Sequence, residues 1–307
     1  MHFRHLRYFV KIVEAGSFSR AAATIFVAQP ALSQQIAELE EQLGVSLLQR
    51  SARGVRPTAA GEVLYREASA ILRQVEQLPS IVRSSGGEAQ GAVSLGMSST
   101  LAATLAGAFI EACKSALPKI TLKFTASDSE SIKSKIQSQA LDLAIVFEDE
   151  LVPIFSRKPL FRQRLYLVCH QTNPKRAASV SLKQIAKLPL ILPGHPNVAR
   201  GLIDRAFTAA GLTANVVAEA DVLSSILSAV RTGIGNTLLP KGDLSDIVGN
   251  DLPPPLLVEP PLFLTASIIS SGDFPLTHAG EAVRNVLSKF VETHLHETRS
   301  PGAEWIG

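Results

Sequence analysis

The hydrophobic pattern of the chain changes character at the glycine pair Gly86-Gly87. Before this pair, apolar residues recur at helical spacing, with one short turn-rich insert; after it, strand-like and helix-like runs alternate. Alternating strands and helices fold as βαβ units, which place helices on both faces of a parallel sheet. The pattern therefore predicts an α/β protein with a helical N-terminal domain and a domain boundary over Gly86 to Gly91.

A chain of 307 residues is long enough for two or three domains. After the boundary, two α/β lobes follow in tandem, and the last helix is long enough to return to the first lobe. This order predicts a hinged two-lobed binder. We expect five segments: a helical domain 1–58, a linker helix 59–88, a first lobe 89–161 completed by 267–296, a second lobe 162–266, and a flexible tail 297–307.

The first 58 residues predict three short helices followed by a hairpin. Gly16 and Gly44 should end the first and third helices, and Ser17 should cap the second. Two extended arms, Leu47–Arg50 and Gly54–Pro57, then flank a turn, which is the pattern of a wing. The whole segment is typical of a winged helix-turn-helix.

The third of these helices has polar residues on its outward first turn. Glutamine can form paired hydrogen bonds with an adenine edge, and serine can bond several bases in the major groove. Because helix-turn-helix proteins read base edges with the start of this helix, the pattern indicates a DNA-reading element for double-stranded DNA. The alternative is an ordinary solvated helix face. The candidate base-reading residues are Gln29, Pro30, Ser33 and Gln34.

The wing concentrates positive charge beside this helix. Arg50, Arg53 and Arg56 suit contacts to phosphates or to the minor groove. The acidic residues Glu38 and Glu40, further along the third helix, would repel phosphates. We therefore expect the helix to enter the groove end-on.

The helix that follows the wing has an a/d heptad seam, which predicts pairing with a second copy of the helix. The alternative is a helix buried on its own protein. Pro79 interrupts the pattern and should kink or end the helix. The seam residues, predicted to form the dimer interface, are Leu64, Ala68, Ile71, Val75, Leu78 and Val82.

Several stretches of this region resemble the LysR-type transcriptional regulator signature. They are Leu6-Arg7-Tyr8-Phe9, Gly16-Ser17-Phe18-Ser19-Arg20-Ala21-Ala22, Gln29-Pro30-Ala31-Leu32-Ser33-Gln34-Gln35-Ile36, Leu39-Glu40, Gly44-Val45-Ser46-Leu47-Leu48-Gln49-Arg50 and Thr58-Ala59-Ala60-Gly61. Weaker motifs follow at Leu141-Asp142-Leu143-Ala144-Ile145 and Gly233-Ile234-Gly235-Asn236-Thr237-Leu238-Leu239-Pro240. Within the family, the N-terminal segment is most similar to the nitrogen-assimilation-control subgroup.

The resemblance implies a winged helix-turn-helix, a dimerising linker helix and a regulatory domain of the periplasmic-binding-protein type. It also implies a homodimer or homotetramer bound to an interrupted palindrome, with RNA polymerase as a further partner. Gln29, Pro30, Ser33, Gln34, Arg50 and Arg53 fall on the family's DNA-contacting positions. Gln34 departs from the arginine that is commoner there, which leaves the base preference of that contact open.

The candidate effector site begins at Ser98, Ser99 and Thr100, between the first strand and helix of the regulatory domain. Hydroxyls and backbone N–H groups at a helix start attract anions, which predicts a small organic anion as effector. Plain helix capping, or a regulator that needs no effector, are the alternatives. By family position, the other cleft residues are Ser129, Phe147, His195, Asn197 and Leu223.

Other function classes lack their sequence signals. The chain has no nucleophile elbow, phosphate-loop lysine or paired-histidine zinc motif, so we expect no catalysis, no cofactor and no metal. We expect no signal peptide and no membrane span, which argues against a secreted solute-binding protein and predicts a cytoplasmic location. Cys113 and Cys169 should be buried core thiols.

Overall fold

The computed structural model describes residues 1–51, 54–84, 88–148, 154–170, 178–240, 251–298 and 301–307. The chain divides into two compact units. The N-terminal unit comprises Met1–Gly87 with Gln137–Ala140, and the C-terminal unit comprises Glu88–Ile136 with Leu141–Gly307. No helix in the described ranges is long and apolar enough to cross a membrane.

The N-terminal unit consists of three short helices, a hairpin and one long helix. They are α1 (Phe3–Ala15), α2 (Phe18–Thr24), α3 (Gln29–Leu43), the antiparallel strands β1 (Leu48–Ser51) and β2 (Gly54–Pro57), and α4 (Ala59–Ser84). Helix α1 packs against α2, α3 and α4, so that one apolar core holds the unit together.

Local signals fix the helix ends in the predicted way. Gly16 and Gly44 adopt left-handed backbone conformations that end α1 and α3. The Ser17 hydroxyl accepts a hydrogen bond from the Arg20 backbone N–H at the start of α2. Thr58 caps α4 by accepting from the Gly61 N–H at 3.0 Å.

Helix α4 does not end at Pro79 but continues to Ser84. Proline removes one hydrogen bond, the one to the carbonyl four residues earlier, while its fixed φ remains compatible with a helix. Of the two predicted effects of Pro79, the helix end is therefore wrong, and the kink stays a prediction.

The C-terminal unit contains two lobes, and the first is built on a six-stranded sheet. The sheet has the order β14-β6-β13-β5-β3-β4. Its strands are β3 (Gly91–Ser98), β4 (Ile120–Ser127), β5 (Leu143–Glu148), β6 (Phe155–Arg164), β13 (Phe263–Ser271) and β14 (Ala303–Trp305). Asp142 fixes the register of β5, because its carboxylate accepts from the Ser94 N–H at 2.7 Å and its own N–H donates back to the Ser94 carbonyl.

This sheet is mixed, and not parallel as predicted. Strands β3, β4 and β5 are parallel, whereas β6, β13 and β14 pair antiparallel with their neighbours. The sequence reading missed β6, whose alternation is broken by Pro159. The chain end is also not a frayed tail throughout, because Ala303–Trp305 pairs with β6.

The second lobe contains a four-stranded sheet of order β11-β7-β12-β8 and a two-stranded sheet of β10 and β9. These strands are β7 (Tyr166–Val168), β8 (Ser179–Ser181), β9 (Leu190–Leu192), β10 (Val216–Glu219), β11 (Thr237–Leu239) and β12 (Leu256–Glu259).

Helices cover the sheets of both lobes. They are α5 (Ser99–Ala116), α6 (Ser129–Gln137), α7 (Leu182–Ile185), α8 (Val198–Ala209), α9 (Leu223–Arg231) and α10 (His278–Thr298). As predicted, the last helix, α10, returns to the first lobe, where it packs on α5 and β3. Cys113 and Cys169 are buried and form no disulfide, which confirms the expectation of core thiols.

Candidate functional site

The start of α3 presents polar side chains to solvent. Gln29, Pro30 and Gln34 are exposed and Ser33 is half-buried. On the opposite face, Leu32, Ile36 and Leu39 are buried, whereas Leu43 is 41% exposed. Leu43 is the last residue of the helix, where the core no longer covers it.

Glu38 orients the glutamine that lies one turn before it. The Gln34 side-chain amide donates to Glu38 Oε1 at 3.0 Å, and the Gln35 amide donates to Glu38 Oε2 at 2.8 Å. An amide nitrogen carries two N–H donors. The Gln34 bond to Glu38 uses one of them and limits the rotation of the side chain.

Arg50 of the wing reaches α3. Its guanidinium donates to the Ser33 hydroxyl at 3.0 Å and lies over the Phe18 ring, 4.3 Å from the ring centroid. Planar guanidinium groups stack well on aromatic faces. The structure thus joins two predicted DNA-contacting residues into one exposed polar surface.

The base of the wing is fixed by the acidic residue Glu40. Its carboxylate accepts the backbone N–H groups of Leu47 at 2.6 Å and Leu48 at 3.1 Å. The Val55 N–H on the second strand donates to the Gly16 carbonyl at 3.0 Å. Sequence reading treated Glu40 only as a charge that repels phosphate and missed this structural role.

The two other arginines of the wing are Arg53 and Arg56. Arg56 is exposed on β2, opposite Gln49 in the hairpin register. Arg53 lies outside the described residues. The wing therefore presents at least Arg50 and Arg56 to solvent on the described strands.

Phe26 is a surface feature that the sequence analysis did not single out. It lies between α2 and α3, is 94% exposed, and has a φ of 56°. A bulky residue in this left-handed region is strained. The signal available in the sequence was an aromatic residue in the turn of the helix-turn-helix, three positions before α3.

The seam of α4 divides into two parts. Ala68 is fully buried in the core of the N-terminal unit, and Leu64 packs against the same core. This part matches the alternative of a helix buried on its own protein. The remaining seam residues are between 42% and 69% exposed: Ile71, Val75, Leu78 and Val82.

A cavity of about 60 Å³ lies between the two lobes of the C-terminal unit. This volume holds a few water molecules or a small organic ligand. Of the predicted effector residues, the cavity is lined by Ser98, Ser99, Thr100, Ser129, Phe147, Asn197 and Leu223.

His195 does not line the cavity. Its imidazole lies 3.0 Å from the Asp204 carboxylate and its side chain is 60% exposed. Asn197 does line the cavity, and its side-chain oxygen also caps α8 by accepting from the N–H groups of Ala199 and Arg200. Asn197 therefore acts as a helix cap as well as a cavity-lining residue.

Ser98 has the features of a ligand contact and not of a helix cap. It is buried, its hydroxyl has no hydrogen-bond partner, and its side chain makes no capping bond to α5. A buried hydroxyl without a partner costs free energy. A ligand in the cavity that bonds this hydroxyl would remove that cost.

The cavity also contains negative charge. Asp128 and Asp221 line it, and no Lys or Arg is among its described lining residues. Burial by itself would raise the pKa of Asp128, but Ser131 donates two hydrogen bonds to its carboxylate and Ser127 one, so the net pKa lies below its ordinary value. Asp128 is therefore ionised at neutral pH.

Comparison with known families accounts for most of the chain. Residues 3–62 match the bacterial regulatory helix-turn-helix protein, lysR family, and residues 86–291 match the LysR substrate binding domain. The nitrogen assimilation regulatory protein nac of Escherichia coli is 34% identical over 302 residues, covering 97% of this chain and 98% of that protein. The nac protein of Klebsiella aerogenes is 33% identical over 301 residues, with 97% and 98% covered.

Solved structures share this fold over nearly all of the chain. A full-length OxyR variant from Pseudomonas aeruginosa superposes with a TM-score of 0.71 at 23% identity, covering 95% of each chain. Full-length CbnR in complex with its target DNA gives a TM-score of 0.66 at 21% identity, covering 97% of this chain and 99% of that one. Together with the two matched families, these comparisons show that the chain belongs to the LysR family of DNA-binding transcriptional regulators.

Proposed function

We propose that this regulator reads its operator with the first turn of α3 and holds the DNA backbone with the wing. The observation that carries the proposal is the Arg50–Ser33 hydrogen bond beside exposed Gln29 and Gln34. It makes the helix start and the wing one polar surface. Gln29, Ser33 and Gln34 would contact base edges, whereas Arg50, Arg53 and Arg56 would contact phosphates or the minor groove.

Phe26 extends this surface by one apolar side chain. Aromatic and methyl groups in the major groove can pack on the methyl group of thymine. Its exposure and its strained backbone are costs to the free protein, which contact with DNA would offset. We therefore include Phe26 among the residues that face the operator.

Exposed apolar residues on α4 support assembly as a dimer. Ile71, Val75, Leu78 and Val82 follow heptad spacing and are between 42% and 69% exposed within their own chain. A two-fold dimer presents two copies of α3, so the expected operator is an interrupted palindrome. We propose a homotetramer built from two such dimers, acting in the cytoplasm with RNA polymerase.

The effector would bind in the cavity between the lobes. The unpartnered Ser98 hydroxyl and the start of α5 at Ser99 and Thr100 support binding of a carboxylate. Asp128 and Asp221 oppose a second negative charge. We therefore propose a small organic monoanion that carries an ammonium or hydroxyl group at its other end, such as an α-amino acid or a hydroxy acid.

Footprinting on the promoter beside the protein's own gene tests the DNA-binding proposal. We expect protection of two half-sites that survives an excess of random duplex. Salt-sensitive binding without sequence preference would contradict it, because phosphate contacts alone give that behaviour.

Calorimetry tests the effector proposal. We expect the full-length protein to bind amino acids or hydroxy acids better than dicarboxylates, and Thr100→Val to weaken that binding. Absence of binding across the panel, with intact operator binding, would indicate a regulator that needs no effector. Binding that Thr100→Val leaves unchanged would place the ligand elsewhere.

A further inference from the structure

A second cavity in the C-terminal unit lies away from the cleft between the lobes. It has a volume of about 200 Å³, larger than the ~150 Å³ that accommodates benzene in an engineered protein cavity. Strands β6 and β13 form its floor and α10 its wall. The lining residues are Ser156, Arg157, Lys158, Ile268, Ser270, Arg284, Asn285 and Ser288.

The chemistry of this cavity is opposite to that of the cleft. Its lining contains cations, hydroxyls and one amide, but no carboxylate among the described lining residues. The cleft between the lobes contains two carboxylates and no described cation. The two cavities would therefore select ligands of different charge.

Two of the three cations are already paired. Arg157 makes a bidentate ion pair with Glu148, with both N–O distances at 2.8 Å, and Arg284 pairs with Glu281 one turn earlier on α10. Glu148 is buried, so its pair with Arg157 is a fixed part of the lobe. Because both arginines are paired with carboxylates, the net positive charge of the lining comes from Lys158.

Lys158 carries the uncompensated charge. Its ammonium donates to the Ser288 hydroxyl at 2.7 Å, and within the described part of the chain no carboxylate lies within 4 Å of it. An ammonium has three donors, and a serine hydroxyl that accepts one of them can still donate its own proton. Lys158, Ser288 and Ser270 can therefore donate to the same bound oxygen atoms.

We propose that this cavity is a second ligand site, which binds a small oxyanion bearing a carboxylate or phosphate group. Lys158 neutralises the anion, the hydroxyls of Ser270 and Ser288 bond its oxygens, and Arg284 supplies further N–H donors at the rim. Ile268 lies between them and accommodates an apolar part of the ligand. Because strand β13 and helix α10 both meet here, the bound anion would link two elements of the first lobe.

Calorimetry on the full-length protein tests this site, with inorganic phosphate and succinate as separate probes at constant ionic strength. We expect one of the two to bind and Lys158→Met to weaken it about tenfold or more, since charge-assisted bonds are lost. Lys123→Met, which removes an exposed lysine from β4 of the same sheet, should bind like the wild type.

Two more variants make the outcome decisive. If Lys158→Met does not fold, Arg284→Gln should weaken the same binding while circular dichroism remains native. Thr100→Val in the cleft should leave the Lys158-dependent binding unchanged. The proposal fails if neither anion binds, if Lys158→Met and Lys123→Met bind equally, or if Thr100→Val abolishes the binding.

Discussion

Phe26 combines a strained backbone with an exposed side chain on the surface that we propose faces DNA. Asparagine tolerates the left-handed conformation better than phenylalanine. Phe26→Asn should therefore raise the free energy of unfolding by about 1 kcal/mol, at the low end of the cost of such strain. The same change should weaken operator binding, because the apolar contact with DNA is lost.

Thermal unfolding and fluorescence anisotropy with an operator duplex check these two effects. Phe26→Leu serves as the control, since it keeps an apolar side chain in the strained conformation and should leave stability near that of the wild type. A Phe26→Asn protein that binds operator as tightly as the wild type would remove Phe26 from the interface.

Glu40 and Glu41 are adjacent, but we expect them to contribute differently to the stability of the protein. Glu40 accepts two backbone N–H groups at the start of the wing, whereas Glu41 is exposed. Glu40→Gln should lower the free energy of unfolding by about 1.5–3 kcal/mol, the range for hydrogen bonds to a charged group. Glu41→Gln should stay within about 0.5 kcal/mol of the wild type.

Chemical denaturation of the two variants measures this difference. Equal midpoints for Glu40→Gln and Glu41→Gln would show that the carboxylate does not hold β1. Sequence reading could not make this distinction, because both residues are acidic and adjacent, and only the fold brings the Leu47 and Leu48 backbone to Glu40.

At the scale of elements, close packing decides which glycines are required. A Cβ on Gly61 would lie 2.0 Å from the Leu47 carbonyl oxygen, so α4 can approach the wing only with glycine there. Gly61→Ala should destabilise the N-terminal unit by about 1–3 kcal/mol, the usual cost of overpacking.

Gly107 provides the opposite case in α5. It is exposed within the helix, and a Cβ there would meet no atom within 4 Å. Gly107→Ala should therefore stabilise the protein by about 0.5–1 kcal/mol through helix propensity. Calorimetric unfolding should shift in opposite directions for the two variants; shifts of the same sign would contradict the packing at one of the two sites.

The length and heptad pattern of the linker helix were predictable from the sequence. The difference in burial between its first and second halves was not. The heptad spacing is the same at Ala68 and Leu78, yet Ala68 lies in the core and Leu78 is 52% exposed. Periodicity reports which residues share a helix face, not what covers that face. Only the packing of α1 against α4 shows which residues of α4 are buried within their own chain.

Assembly through the exposed half of α4 is testable with one pair of variants. Leu78→Asp places a charge in the proposed seam and should dissociate the dimer, because burying an unpaired charge is costly. Val63→Asp changes an equally apolar, 51% exposed residue of the same helix outside the seam and should leave assembly intact.

Light scattering across a concentration series is the measurement for this pair. Unchanged mass for Leu78→Asp would place the dimer contact on another surface. Loss of assembly in both variants would indicate general unfolding and not a defined seam.

At the scale of the whole molecule, domain order followed from the sequence, whereas sheet direction did not. The alternation after Gly86-Gly87 predicted α/β lobes, and both lobes combine strands with helices in the structure. The antiparallel half of the large sheet depends on β6, β13 and β14, which pair across long stretches of chain. Local patterns contain no information on such pairing.

In the cleft between the lobes, too, some lining residues were predictable from the sequence and others were not. Seven of the predicted effector residues line the cavity, because family positions and helix starts identify them. Asp128 and Asp221 were missed, since an isolated aspartate in a loop gives no sequence signal of its neighbours. Their charges change the expected effector from any small anion to a monoanion with a second polar group.

Base reading by the first turn of α3 is the central claim, and selection of bound duplexes from a random-sequence pool tests it most directly. The wild type should enrich an interrupted palindrome. Gln34→Ala should enrich the same palindrome with one position per half-site relaxed by about 1–3 kcal/mol, whereas Arg56→Ala should weaken all sequences similarly. Enrichment of no sequence by the wild type, or an equal loss for all sequences in Gln34→Ala, would contradict the account.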